Sequence, residues 1–183
     1  MTESERPTDV PAQEEALVPL SRPVAITDIG PTGLNIRLTP DEAVRAELAR
    51  YVGVLAVPSF SAQIHLEPEG KAGFHVTGEL KATVRQTCGV TLDEFDAPLL
   101  EEIDVHFVPE GTPIPPESEE DETYDPPDEI LNGQIDIGLL ATEFLALGID
   151  PYPRKPGAVF ELPDTDTTGL SPFAALSRLK DPS

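Results

Sequence analysis

The segment from residue 72 to residue 107 constrains the fold more than any other part of the chain. Its first half alternates apolar and polar side chains, and the apolar ones stand mostly at even positions: Phe74, Val76, Leu80, Ala82 and Val84. This period of two places the two sets on opposite faces of one sheet. A turn with the single cysteine follows, and the return path repeats the pattern at Ile103, Val105 and Phe107. The segment therefore predicts a half-buried antiparallel ribbon, in which Gly78 marks a bulge or a bend.

Shorter patterns before the ribbon predict further strands and a first helix. Residues 24–28 and 34–38 flank a turn-rich Ile-Gly-Pro-Thr-Gly sequence and predict an N-terminal hairpin, and residues 59–66 predict another strand. A helix is expected over about 40–51, with Thr39 as its cap, Pro40 in its first turn and Glu42 completing a capping box. Its apolar stripe consists of Val44, Leu48 and Tyr51.

The C-terminal third predicts two more helices. Residues 136–147 carry one apolar face, with a carboxylate at the start and a glycine after the end; that face consists of Ile137, Leu140, Phe144 and Leu147. Ser171 followed by Pro172 predicts the start of a short last helix. These elements together predict an α+β fold: an antiparallel sheet, either open or curved toward a barrel, with two or three packed helices.

Composition divides the chain into a tail, a domain and an acidic loop. We expect residues 1–18 to be a disordered tail and residues 19–183 to form a single domain. Residues 111–129 hold five prolines, a dense acidic run and one aromatic residue, Tyr124. Such a segment cannot bury enough apolar area to offset its ordering entropy. We expect a mobile acidic excursion, either a solvated loop or a segment that orders on binding.

Charge limits the classes of partner that the chain can bind broadly. The net charge is −22, and the 68 residues from 86 to 153 contain eighteen Asp and Glu residues and no Lys or Arg. Such a surface repels a phosphate backbone, which proteins bind mainly through cations. It attracts a basic protein and accelerates the encounter with it. A role in solubility alone is the alternative interpretation.

Several classes of site and location are disfavoured by the sequence. One cysteine excludes an intrachain disulfide and a cysteine-only zinc site, and His65, His75 and His106 show no short ligand spacing along the chain. No nucleotide-binding loop, Gly-x-Ser-x-Gly elbow or His-Glu-x-x-His motif is present. We therefore expect no metal, no cofactor and no enzymatic activity. The N-terminus has no apolar segment typical of a signal peptide, and the longest apolar run is interrupted by Glu143, so we expect a cytoplasmic protein.

Five residues are candidates for a functional site. Tyr152, Arg154 and Lys155 lie in the proline-stiffened sequence Asp-Pro-Tyr-Pro-Arg-Lys-Pro-Gly, where the two cations are the first after residue 85. The tyrosine can stack on a base and the cations can bind phosphate or carboxylate, or they can neutralise the protein's own acidic face. Glu143 is either a paired functional carboxylate or a solvent-facing one. Cys88 is either a reactive thiol or a small apolar residue packed at the ribbon turn.

Two motifs resemble a known family. Cys88-Gly-Val-Thr-Leu-Asp93 resembles the Cys-x-x-Cys-Leu-Glu motif of the DUF177/YceD family, with Thr91 in place of the second cysteine. The sequence from Gln134 to Phe160 is similar to that family's Ile-Asp-Leu and Glu-x-Leu-x-Leu segment, and its end resembles the alphaproteobacterial branch. The two motifs occur in the family's order and together cover roughly residues 20–160.

The resemblance implies a function connected with large-subunit (23S) ribosomal RNA. It implies a factor in the accumulation or processing of this RNA during ribosome biogenesis, with no known catalytic activity. Because the chain is so acidic, we favour action through a basic ribosomal or processing protein, or RNA contact confined to small patches. An acidic chaperone or adaptor for a basic ribosomal protein, and an rRNA-processing enzyme of unrecognised type, are the alternatives. No membrane or small-molecule partner is indicated.

Overall fold

The computed structural model describes residues 18–113 and 126–160. Its central feature is a five-stranded sheet with the order β2-β3-β4-β5-β6. The strands are β2 (Leu34–Leu38), β3 (Ala56–Glu69), β4 (Gly73–Thr87), β5 (Glu94–Pro109) and β6 (Asp128–Ile130). All neighbouring pairs are antiparallel except β5 and β6, which run parallel. The sheet is open and does not close into a barrel, so of the two predicted forms the open one is confirmed.

The predicted ribbon is formed by β4 and β5. Their register runs without interruption from the pair Phe74 and Phe107 to the pair Thr87 and Glu94. The even apolar side chains of β4 are buried as expected, and Ile103 and Phe107 join them from β5. The bulge considered at Gly78 is wrong, because the ladder continues through it on both sides. A side chain is excluded there for another reason: a Cβ atom would lie 2.4 Å from the carbonyl oxygen of Gln63 in β3.

The predicted N-terminal hairpin is wrong. β1 (Pro23–Ala25) pairs antiparallel with β7 (Gln134–Asp136), from the far end of the described chain, and not with β2. A 3-10 turn (Ile26–Asp28) follows β1 directly, and β2 instead pairs with β3 along its whole length. Long-range pairing therefore replaces the local hairpin, and it ties the N-terminal segment to the start of the second helix.

The first helix, α1 (Glu42–Val52), begins two residues later than predicted. Asp41 is the cap, and its carboxylate accepts a hydrogen bond from the backbone N–H of Val44 at 2.9 Å. The predicted cap Thr39 and the predicted first residue Pro40 both precede the helix. The helix packs on β3 through Leu48 and Ala49, whereas Tyr51, which the stripe placed inside, is 46% exposed.

The second helix, α2 (Ile137–Leu147), has the predicted bounds. It contacts α1, β1, β4 and β5 and closes the apolar core. Its buried face is shifted from the predicted one: Leu145 is fully buried and Leu147 is 78% exposed. The largest fully buried side chains of the core come from both helices and from β3, β4, β5 and β7: Leu48, Ile64, Leu66, Leu80, Ile103, Ile135, Ile137 and Leu145.

The acidic excursion is closed at its base by the parallel pair of β5 and β6. Asp128 and Glu129, which we had assigned to the excursion, belong to β6, and Glu129 accepts a hydrogen bond from the N–H of Gly111 at 3.0 Å. The body of the excursion, the expected disordered tail up to residue 17 and the predicted last helix lie outside the described residues. Within the described part of the chain, no helix is long and apolar enough to span a membrane.

Candidate interaction site at the cysteine turn

The turn between β4 and β5 is built around Cys88. The backbone N–H of Cys88 donates to the carbonyl oxygen of Asp93 at 2.8 Å, and the N–H of Leu92 donates to the carbonyl oxygen of Cys88 at 2.9 Å. These bonds close a compact six-residue turn at the end of the ribbon. Its cysteine side chain points inward, and Cys88 has no exposed surface.

The sulfur atom of Cys88 is a hydrogen-bond acceptor for several surrounding groups. Backbone N–H groups of Val90, Thr91 and Lys155 lie 3.4, 3.5 and 3.4 Å from Sγ. The hydroxyl of Thr91 also donates to it and, with these N–H groups, lowers the pKa of the thiol to about 6, although burial acts in the opposite direction. Thr91, which replaces the second cysteine of the family motif, therefore still contacts the first.

The proline-rich loop at residues 150–157 is clasped against this turn. The N–H of Gly89 donates to the carbonyl oxygen of Pro153 at 2.9 Å, and the side-chain amide of Gln86 donates to that of Asp150 at the same distance. The ammonium group of Lys155 lies 3.1 Å from Asp93 Oδ2, and the pair lowers the pKa of Asp93. The structure thus brings together two candidates that are 67 residues apart, Cys88 and Lys155.

The outer surface of the clasped turn presents an aromatic, a cationic and an apolar side chain. Tyr152 is 82% exposed, Arg154 is exposed, and Leu92 is 76% exposed. Asp150 Oδ1 accepts a hydrogen bond from the N–H of Tyr152 at 2.8 Å, which fixes the backbone beneath the ring. Tyr152 and Arg154 are therefore available for contact, whereas Lys155 is already paired with an acidic residue of its own chain. We call Leu92, Tyr152 and Arg154 the turn surface.

Glu143 lies apart from this site, on the exposed side of α2. Burial of its carboxyl group, together with the negative charges of Asp128 and Asp136, raises its pKa. The neighbouring Asp136 caps the helix: its Oδ1 accepts hydrogen bonds from Gly138 and Leu139. Glu143 thus adds to a negative field at the start of α2, and no geometry among the described residues gives it a chemical role.

The sequence analysis missed a cluster of histidines on the solvent face of the sheet. His75 on β4 stands directly opposite His106 on β5, and Asp104 Oδ1 accepts a hydrogen bond from His75 Nε2 at 2.6 Å. This bond raises the pKa of His75 and outweighs the effect of burial. Spacing along the chain concealed the pair. The signal was available in the hairpin register, because both residues are fifteen or sixteen positions from the middle of the predicted turn.

The geometry defines a mixed α+β protein in which a ribbon turn and a proline-rich loop form one surface. A family model described as large ribosomal RNA subunit accumulation protein YceD matches residues 76–180. This match covers more than half of the chain, so the protein belongs to the YceD family. It includes the ribbon, the cysteine turn, α2 and the clasped loop. Comparison with curated proteins and with solved structures gave no match.

Proposed function

We propose that the protein is a non-enzymatic cytoplasmic factor that supports the synthesis, processing or stability of 23S ribosomal RNA during large-subunit biogenesis. The observation that carries this proposal is the family match, whose description is that of an rRNA accumulation protein. The match extends over both halves of the clasped turn, so the proposal assigns the family's role to a chain that contains this surface intact.

The chemistry of the described residues supports a binding role over a catalytic one. The thiol of Cys88 is the best nucleophile by its lowered pKa, but it has no exposed surface and its sulfur is occupied by N–H donors. A nucleophile needs an adjacent base and access to substrate. The hydrogen bonds around Cys88 instead hold two chain segments together, which is a structural task.

We infer that direct RNA contact, where it occurs, is small and centred on the turn surface. Tyr152 offers a face for base stacking, and Arg154 offers a planar cation for phosphate. Lys155 contributes less than Arg154, because Asp93 already compensates its charge. One or two phosphate contacts give a logarithmic salt slope of only about −1 to −2. A steep slope that is unchanged by Tyr152→Ala/Arg154→Ala would place the contact elsewhere.

Deletion of the gene is the direct test of the proposed function. We expect a fall in 23S rRNA relative to 16S rRNA and fewer mature large subunits, measured by rRNA quantification and sucrose-gradient profiles. Unchanged large-subunit rRNA would contradict the proposal. A purified protein that cleaves precursor rRNA, and loses this activity on substitution of one residue, would favour a processing enzyme instead.

An adaptor for a basic ribosomal protein is the second candidate, and the outer face of β5 favours it. Four carboxylates stand exposed along this strand: Glu94, Asp96, Glu102 and Asp104. Only Asp96 is neutralised by an arginine in the described structure, through two hydrogen bonds from Arg85. Such a face would accelerate encounter with a cationic partner. Association with purified basic ribosomal proteins that is slowed by added salt would support the adaptor, and salt-independent association would count against it.

A further inference from the structure

Strands β3, β4 and β5 bring the three histidines of the chain to the same end of the solvent face. His75 and His106 are a cross-strand pair whose rings are stacked, with centroids 4.3 Å apart and planes 5° from parallel. His65 stands on β3, opposite Thr77. The end of the sheet that carries these rings is the end remote from the cysteine turn, roughly 40 Å away along β4 at the usual rise per residue.

We propose that His75, Asp104 and His106 form a binding site for a divalent transition-metal ion such as Zn²⁺. One ligand atom from each residue lies within 4.8 Å of the other two. Bonds of about 2.0–2.2 Å to zinc require ligand atoms roughly 3–3.5 Å apart. The remaining difference is within reach of side-chain rotation, since His106 and Asp104 are half or more exposed and face solvent.

Carboxylates already orient the two imidazole rings. Glu69 Oε2 lies 2.7 Å from Nδ1 of His106, which leaves the Nε2 atom of this ring for an ion. Glu67 Oε1 lies 3.6 Å from Nδ1 of His75, whose Nε2 is the atom beside Asp104. A carboxylate on the outer nitrogen fixes the tautomer of a ligating histidine and increases its basicity. Each ring thus has one nitrogen toward a carboxylate of β3 and another available to a metal.

The chemistry of these groups selects the kind of ion. Imidazole with carboxylate suits zinc, nickel or copper, whereas magnesium and calcium prefer oxygen ligands alone. Three protein ligands leave a fourth position, which water would fill. The three nearby carboxylates and the net charge of −22 favour a cation here. All ligands stand on strands fixed by the sheet, so the ion is not needed for folding, which agrees with an incomplete cysteine motif that needs no metal.

Titration of the untagged, metal-free full chain with Zn²⁺ tests this site, since a histidine tag would itself bind metal. Isothermal calorimetry at neutral to mildly alkaline pH should show one ion per chain in the micromolar range. His106→Ala and Asp104→Asn should each weaken binding by about tenfold or more, and Glu69→Gln by a similar factor. His65→Ala and Cys88→Ser are the matched controls and should leave the affinity unchanged.

Nuclear magnetic resonance of the imidazole nitrogens provides the second readout. Zn²⁺ should shift the signals of His75 and His106 and leave those of His65 in place, and excess Mg²⁺ should not reverse the shift. The proposal is overturned if no stoichiometric site exists, or if the site persists in the double variant His75→Ala/His106→Ala. It is also overturned if Zn²⁺ binding depends on Cys88. Asp104→Asn, which preserves the shape of the side chain, keeps the test decisive if a histidine variant fails to fold.

Discussion

Cys88 is a buried acceptor that holds the end of the ribbon to the loop at residues 150–157. Its sulfur receives N–H groups from its own turn and from Lys155, far away in the sequence. These donors, with the Thr91 hydroxyl, lower the pKa of the thiol to about 6. Because a thiolate is a stronger acceptor than a thiol, the charged form strengthens the clasp.

The lowered pKa of Cys88 predicts a pH-dependent stability. An acid whose pKa is lower in the folded state stabilises the fold above its ordinary value near 9, and this contribution is lost as pH falls through about 6. The free energy of unfolding of the native chain should therefore rise between pH 6 and pH 9 more steeply than that of Cys88→Ser. Urea unfolding of both proteins across this range measures the difference. Equal slopes would show that the thiol is not ionised in the fold.

Leu92 is held in a conformation that side chains with a Cβ atom disfavour. Its φ is 61°, in the left-handed region, and its side chain is 76% exposed. This conformation costs a residue other than glycine roughly 1–2 kcal/mol.

Leu92→Gly should consequently stabilise the protein by about 1 kcal/mol, as measured by urea unfolding. Leu92→Ala is the matched control, because it removes the same exposed side chain but keeps the Cβ atom, and it should give no gain. A stabilised Leu92→Gly chain that supports 23S rRNA less well would show that the exposed leucine serves contact. Destabilisation by glycine would refute the strain.

At the scale of secondary-structure elements, Asp136 joins the N-terminal segment to α2. Its carboxylate caps the helix through Gly138 and Leu139, and it also accepts hydrogen bonds from the N–H of Arg22 at 2.7 Å and the hydroxyl of Ser21 at 2.5 Å. Burial alone would raise the pKa of Asp136, but these hydrogen bonds outweigh it and lower the pKa. The acidic residue of the family's Ile-Asp-Leu segment is therefore structural in this chain.

Asp136→Ala should destabilise the protein by about 2–3 kcal/mol, because it removes a helix cap and leaves further donors without their partner. Asp41→Ala, which removes only the single bond at the cap of α1, should cost about 1 kcal/mol. Urea unfolding at neutral pH compares the two variants. Since the folded pKa of Asp136 is lowered, its contribution should disappear in acid. Equal costs for the two variants would contradict the joining role.

The elements that the sequence predicted well are those with a strong local pattern. The ribbon alternates over many residues, and α2 has an apolar face with a clear start and stop, so both were found close to their true bounds. The pairing of β1 with β7 was missed because it joins segments more than a hundred residues apart, and a turn-rich sequence between residues 28 and 34 suggested a local hairpin instead. The burial of Leu145 in place of Leu147 depends on how α2 rotates against the sheet, which periodicity alone does not fix.

The candidate site was found in parts but not as a unit. Tyr152, Arg154 and Lys155 were selected by their charge and stiffness, and Cys88 by the family motif. Their contact depends on how the loop after α2 meets the ribbon turn, and no local signal reports this. The histidine pair was missed although the predicted hairpin register implied it.

At the scale of the whole molecule, charge and fold separate two kinds of surface. The outer face of β5 is strongly acidic and would repel RNA, whereas the turn surface at the ribbon end exposes Tyr152 and Arg154. A family connected with large-subunit rRNA can therefore include a chain of net charge −22 if its RNA contact is local and its acidic face meets proteins. This division is the central claim of our account.

Complementation of a deletion strain tests this claim most directly. The measured quantity is the ratio of 23S to 16S rRNA with the native chain, with Tyr152→Ala/Arg154→Ala, and with Tyr51→Ala/Arg50→Ala as a matched control on α1. We predict that the native chain and the control restore the ratio and that the turn-surface variant, at equal protein level, does not. Full restoration by the turn-surface variant would contradict the account.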